Sequence, residues 1–168
     1  HIPIIIYNVP SRTNLNITPS TLKELSKIDN IAGIKEASGD IAQVVDMARL
    51  CEGVIDLYSG NDDMVVPLLS VGGKGVISVV ANIAPRDTHD MVARFFDGDI
   101  EGARKLQFKL YPLVKALFME VSPIPVKTAM NLMGMNAGKL RMPLTDMSEE
   151  NLKILKQEMI EYGFEIQA

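Results

Sequence analysis

Short, unbroken apolar runs alternate along residues 1–97 with segments whose apolar positions recur every third or fourth residue. An unbroken run predicts a strand covered on both faces, and the three-to-four spacing predicts a helix with one buried stripe. Residues 2–10 are then a first strand buried on both faces, with Tyr7 near its C-terminal end, and 11–14 a loop. Thr18 before Pro19 marks a helix start through side-chain capping and a preset φ, and Leu22, Leu25 and Ile28 form its stripe. Residues 31–36 are the second strand, and they deliver Lys35 at its end. Asp40 caps the next helix, whose stripe is Ile41, Val44, Val45 and Ala48 and which Gly53 stops. A third strand over 55–59 precedes a short helix over 64–69. Residues 72–75 turn into a fourth strand over 76–81, and Pro85 opens a helix through Met91, Val92, Phe95 and Phe96.

Four strand–helix units with short connections predict an α/β fold with a parallel sheet, either open and doubly wound or closed into a barrel. After Gly98 the strand pattern stops. Residues 99–119 carry helical spacing, with a kink or break expected at Pro112. Ser122-Pro123-Ile124-Pro125 is a rigid turn, 126–133 a helix ended by Gly134, 140–144 extended, and Ser148 starts a last helix that Gly163 ends. This last part is a helical appendage on the α/β body.

Of 168 residues, 47% are hydrophobic and 23% charged, the composition of a soluble globular protein. A net charge of −4, with basic residues scattered, argues against nucleic acid or an anionic membrane as a partner. The apolar runs are too short to span a bilayer, so a cytoplasmic protein is expected. Cys51 is alone, which leaves no intrachain disulfide or cysteine cluster, and it is read as a small buried hydrophobe. His1 and His89 are too distant in sequence to suggest a zinc site. Asn16-Ile17-Thr18 matches a glycosylation acceptor but is read as the approach to a helix cap. The strand pattern begins at once, without an initiator methionine, so a piece of a longer chain is expected.

Reactive groups in a βα protein gather at the C-terminal ends of the strands. Tyr7, Lys35 and the Ser59-Gly60-Asn61 turn satisfy that rule, whereas Lys74 precedes its strand and falls on the opposite rim. A strand-end lysine is partly dehydrated, sheds its proton more readily and becomes a carbonyl nucleophile. The plainer alternative is a lysine reaching solvent or paired with Glu36. Imine formation also needs proton transfers, for which the Tyr7 hydroxyl is suited. Arg12, just beyond, has the fork geometry that grips a carboxylate. The Gly60-Asn61 turn offers backbone N–H groups to an anion, and a phosphate site there with Gly72-Gly73 is a weaker reading.

Taken as text, Tyr7-Asn8-Val9-Pro10-Ser11-Arg12-Thr13, Gly33-Ile34-Lys35-Glu36-Ala37-Ser38-Gly39, Tyr58-Ser59-Gly60-Asn61-Asp62 and Gly73-Lys74-Gly75-Val76-Ile77-Ser78 resemble, in order and spacing, the motifs of the dihydrodipicolinate synthase family. Ser122-Pro123-Ile124-Pro125-Val126-Lys127 and Leu140-Arg141-Met142-Pro143-Leu144 resemble its C-terminal helical region. The resemblance implies the second half of a (β/α)8 TIM barrel over residues 1–97, followed by a C-terminal helical domain over 98–168. It implies a class I, Schiff-base lyase that condenses pyruvate with aspartate semialdehyde on the way to diaminopimelate and lysine. Lys35 would form the imine, Tyr7 relay protons, and Arg12 bind the semialdehyde carboxylate. Ile77 would offer backbone contact to pyruvate, with Gly60 and Asn61 lining the same rim. No organic cofactor is implied, and neither is a metal.

The sialic acid (N-acetylneuraminate) lyases share the tyrosine and lysine but lack the Ser-Arg-Thr continuation present at 11–13, which places that reading well below the synthase. The family's first four strands, its paired relay threonines and a tyrosine lent by a neighbouring subunit have no counterpart in this stretch. A half barrel bares two strand edges and an apolar interior, so homo-oligomerisation or association with a complementary half barrel is expected. A noncatalytic association module is the corresponding alternative function.

Overall fold

A computed structural model describes residues 2–167. His1 lies outside them. Residues divide into two compact units, 1–78 and 79–168, so the helix after Pro85 belongs with the helical part. The change from strand to helix character in the sequence suggests a boundary at 97/98 instead.

The first unit is a four-stranded parallel sheet in sequence order, β1 (Ile4–Asn8), β2 (Ile31–Glu36), β3 (Asp56–Ser59) and β4 (Gly75–Val76). Between the strands lie α1 (Pro10–Thr13), α2 (Pro19–Leu25), α3 (Ile41–Leu50) and α4 (Val65–Ser70). The caps fall where the sequence places them. Thr18 Oγ1 accepts from the Thr21 N–H, and Asp40 Oδ1 accepts from Ala42 and Gln43. One face of the sheet is sealed by Leu22, Ile34, Val44, Met47, Cys51, Leu57 and Leu68, with Ile6 and Ile17 at the margin. Cys51 is buried there, as its place at the end of α3 predicts.

Four expectations need correction in this unit. β1 is not buried on both faces: Ile4 and Ile5 are about half exposed, because among the described residues this strand has a neighbour on one side only. Residues 10–13 form a single helical turn, closed by Asn14 in the left-handed region, rather than a loop. On α3 the buried stripe is Val44, Met47 and Cys51, while Ile41 and Val45 face outward. The fourth strand is much shorter than the 76–81 apolar run. Lys74 N donates to Leu57 O and Ile77 N to Ser59 O on either side of β4, after which residues 80–82 make a 3₁₀ turn. An apolar run fixes burial, but only a partner strand fixes its extended conformation.

The second unit is helical: α5 (Pro85–Phe96), α6 (Ile100–Leu117), α7 (Ile124–Leu132) and α8 (Glu149–Tyr162). α6 packs on α5 and α8, and Met91, Ala103, Leu110, Leu113, Leu117, Leu155 and Met159 on these three helices are all buried. α6 runs unbroken through Pro112. Tertiary packing on both sides of that residue overrides the missing N–H. Ser148 caps α8 and also donates to Glu120 Oε1 at 2.9 Å, while Gly163 ends the helix with φ 106°. Residues 140–144 hold a turn, with Leu144 N donating to Arg141 O, in place of a fully extended segment. Asp87 on α5 accepts from Lys109 on α6 at 2.6 Å and from the Tyr162 hydroxyl on α8, tying three helices at one carboxylate.

No helix among the described residues is long and apolar enough to cross a membrane.

Candidate active site

Parallel pairing puts side-by-side residues on the same face of a sheet. Tyr7, Lys35, Tyr58 and Gly75 make one such row, and Asn8, Glu36, Ser59 and Val76 make the next, on the opposite face. The second row lies toward the helices and is buried at Asn8, Glu36 and Ser59. The first row therefore points away from the helical layer. Lys35 and Tyr7, 28 positions apart in sequence, meet there, with Lys35 Nζ 4.3 Å from the centre of the Tyr7 ring.

Lys35 is half-buried, and its ammonium is shifted toward losing its proton. Desolvation is the main cause; Asp62 opposes it and the positive charge of Arg12 adds to it. The pairing with Glu36 does not form. Glu36 Oε2 accepts from Asn8 Nδ2 at 2.8 Å and Oε1 accepts from Ser38 N at 2.6 Å, because neighbouring residues in a strand face opposite ways.

Gly60 stands beside the lysine stem. A Cβ at that position would come within 3.1 Å of Lys35 Cε and 2.8 Å of the Ala37 Cβ, so the space taken by the lysine exists because residue 60 has no side chain. The N–H groups of this turn are not offered to an anion, contrary to the reading from its glycine. Gly60 N donates to Glu36 O at 2.7 Å, and Asn61 N to Ser59 Oγ at 3.2 Å. Parallel pairing of β2 with β3 consumes the first, and the turn itself the second. The phosphate reading loses its donors with them. The Asn61 side chain lies 4.0 Å from Met64 Sδ. Ile77 N is likewise committed to Ser59 O at 2.9 Å, so any backbone contact from Ile77 to a ligand has to use its carbonyl. Arg12 is exposed on α1, close enough for its charge to act on Lys35. Lys74 borders a groove with Asp29, Glu52 and Asp56 at the N-terminal ends of the strands, apart from Lys35.

Sequence reasoning passes over Asn8, Glu36, Tyr58 and Asp62 as individual contributors. An acidic residue ending an apolar strand is a signal for the second of these, since a buried carboxylate requires partners.

The parallel βα sheet thus carries a partly dehydrated lysine and a tyrosine side by side at its C-terminal ends, on an α/β scaffold. The dihydrodipicolinate synthetase family model matches residues 1–161, and the chain belongs to this family. Among curated relatives, the 4-hydroxy-tetrahydrodipicolinate synthase of Caldicellulosiruptor bescii is 62% identical over 165 residues, covering 98% of this chain and 56% of the relative. That of Acetivibrio thermocellus is 60% identical over 162 residues, 96% of this chain and 55% of the relative. The crystal structure of dihydrodipicolinate synthase from Aquifex aeolicus superposes with a TM-score of 0.95 at 37% identity, over 99% of this chain and 57% of that one. The Thermotoga maritima structure gives 0.93 at 43% identity, over 96% and 56%. The chain thus spans about half the length of the relatives it matches.

Proposed function

We propose that this chain carries the imine-forming part of a lyase that condenses pyruvate with aspartate semialdehyde. The observation that supports it most is the half-buried Lys35 amine, biased toward its neutral form and 4.3 Å from the Tyr7 ring at the strand ends. Neutral Lys35 adds to the keto carbon of pyruvate, and the carbinolamine takes up a proton at its hydroxyl and loses water to give the protonated imine. A proton lost from the pyruvate methyl group gives an enamine, whose carbon attacks the aldehyde of the second substrate. Tyr7 passes protons during imine formation and release. Contact with the ring face favours the ammonium, whereas burial favours the amine. Arg12 grips the carboxylate of the semialdehyde; Gly60 and Asn61 line the site, and Ile77 meets pyruvate through its carbonyl.

Residues 1–97 are read as the last four βα units of an eight-unit barrel, with 98–168 as the helical domain that follows in the chain. Four strands paired in sequence order and then helices alone support that reading. The bared β1, with Ile4 and Ile5 about half exposed, supports association with a complementary half barrel or a second copy. For the whole protein the proposed role is in lysine and diaminopimelate synthesis, in the cytoplasm.

Borohydride reduction in the presence of pyruvate, followed by peptide mass spectrometry, tests the chemistry. A reduced pyruvate adduct on Lys35 and not on Lys74 is the expected result. A folded chain that gains no adduct on Lys35 overturns imine formation by this chain and leaves association as its function.

A further inference from the structure

The two residues that follow the proposed proton relay and nucleophile, Asn8 after Tyr7 and Glu36 after Lys35, lie at adjacent register positions on the opposite face of the sheet and are 1% and 2% exposed. They are joined by the 2.8 Å bond from Asn8 Nδ2 to Glu36 Oε2. The rest of each side chain reaches a different part of the site. Asn8 Oδ1 accepts from Ile17 N at 2.9 Å, closing the segment that carries Arg12. Glu36 Oε1 accepts from Ser38 N at 2.6 Å, fixing the chain just after Lys35. Asn8 Nδ2 also donates to Asn16 Oδ1 at 2.9 Å, and Asn16 exchanges hydrogen bonds with Gln43 on α3.

We infer that Asn8 and Glu36 are positioning residues, a buried clasp that sets Tyr7, Lys35 and the Arg12 segment in register with one another. The inference rests on the imine chemistry proposed above. Its physical basis is that three substrate-facing elements hang on one pair whose donor and acceptor roles are fixed. Ile17 N–H requires the Asn8 oxygen, so the Asn8 amide cannot turn over, and the atom facing it must be an acceptor. Both Glu36 oxygens accept, and a glutamine at 36 sets one N–H against another in either orientation. A carboxylate held this way is costly to bury, and its retention in place of an apolar residue is explained by register.

The donor polarity supplies the test. Three chains are compared: wild type, E36Q, and the double variant N8D/E36Q. In the double variant the carboxylate introduced at position 8 accepts from both the new amide at position 36 and Ile17 N, and the Asn16 and Gln43 amides turn over in step. Net charge equals that of the wild type. Borohydride trapping of pyruvate on Lys35 is expected to slow about tenfold in E36Q, the size of one lost buried hydrogen bond, and to return to within about threefold in N8D/E36Q. The pH dependence of Lys35 labelling by acetic anhydride moves in E36Q and returns in the double variant, while labelling of the exposed Lys153 stays constant. Amide exchange at Ile17 and Ser38 accelerates in E36Q and slows again on restoration.

Trapping and Lys35 labelling unchanged in E36Q overturn the inference. So does a double variant that melts like the wild type but traps as slowly as E36Q, since the pair is then structural only. A double variant that fails to fold overturns the donor assignment. If the wild type traps nothing, the imine reading has failed by itself; the exchange and labelling patterns then decide the clasp independently.

Discussion

Replacing Gly60 with alanine probes how tightly the lysine is seated. The added Cβ would stand 2.8 Å from the Ala37 Cβ and 3.1 Å from both Glu36 O and Lys35 Cε, inside the 3.4 Å at which ordinary contact begins. Two of those three atoms belong to rigid parts of the chain, the carbonyl of β2 and the Cβ of Ala37, and cannot yield as a side-chain tip would. Overpacking of this kind costs about 1–3 kcal/mol. In a domain of this size, melting falls by roughly 2–4 °C per kcal/mol. Lys35 Cε is the one neighbour free to move, so part of the strain is relieved by pushing the amine away from Tyr7. A displacement near 1 Å at a reacting atom costs up to about 100-fold in rate. G60A is therefore expected to melt a few degrees lower and, at temperatures where it is fully folded, to form the Lys35–pyruvate adduct at least about tenfold more slowly. Thermal denaturation by circular dichroism and timed borohydride trapping measure the two effects. Wild-type melting together with wild-type trapping would refute the claim that the absence of a side chain at 60 makes the room for Lys35.

Lys35 has a lowered folded-state pKa, so its amine should react with acetic anhydride at lower pH than the amine of exposed Lys153, and trapping should rise as pH climbs through the folded value. Because the unfolded chain then holds the extra proton, stability attributable to this group increases with pH between the folded and unfolded values. K35M should abolish trapping without lowering the melting temperature, since it removes the desolvated charge and keeps the stem; a large drop would contradict the burial argument. Y162F removes one donor to Asp87 and is expected to cost about 1–2 kcal/mol by urea denaturation. Asp87 has a depressed pKa, so its contribution is present above the ordinary carboxylate range and is lost as pH falls through the folded value; acid sensitivity of the second unit that ignores D87N would argue against it. S148A removes the α8 cap and the hydroxyl's bond to Glu120, while the backbone N–H of residue 148 still donates to Glu120, and should cost roughly 1 kcal/mol, with faster amide exchange confined to the first turn.

The parts of this architecture that can be read from the chain are those whose cause is local. Thr18, Asp40 and Ser148 announce helices because a cap acts on residues two or three positions away. Lys35 is legible because its strand, its turn and the rule for βα sheets all concern neighbours. The rest depends on partners elsewhere. The run at 76–81 has strand composition throughout, yet just two of its neighbourhood's residues, Gly75 and Val76, form the strand, since pairing with β3 ends there. Ile4 and Ile5 belong to an apolar run indistinguishable from a core strand, and their exposure follows from the absence of a second neighbour to β1 among the described residues. The bond between Asn8 and Glu36 joins positions 28 apart, beyond the reach of any periodicity, and the commitment of the Gly60 N–H to Glu36 O is hidden for the same reason.

β2 presents Ile34 and Glu36 to one side and Gly33 and Lys35 to the other. Reactivity and foldedness are thus written in alternate letters of one six-residue word. Losing or gaining a single residue within it would exchange the two readings, driving the amine into the apolar layer and the buried acid into the cleft. Changes in length here are admissible only in pairs, whereas the turns on either side are under no such parity rule. Evolution and engineering alike are free to lengthen those turns and reshape what enters the site, but between positions 31 and 36 a change in length by a single residue is closed to them.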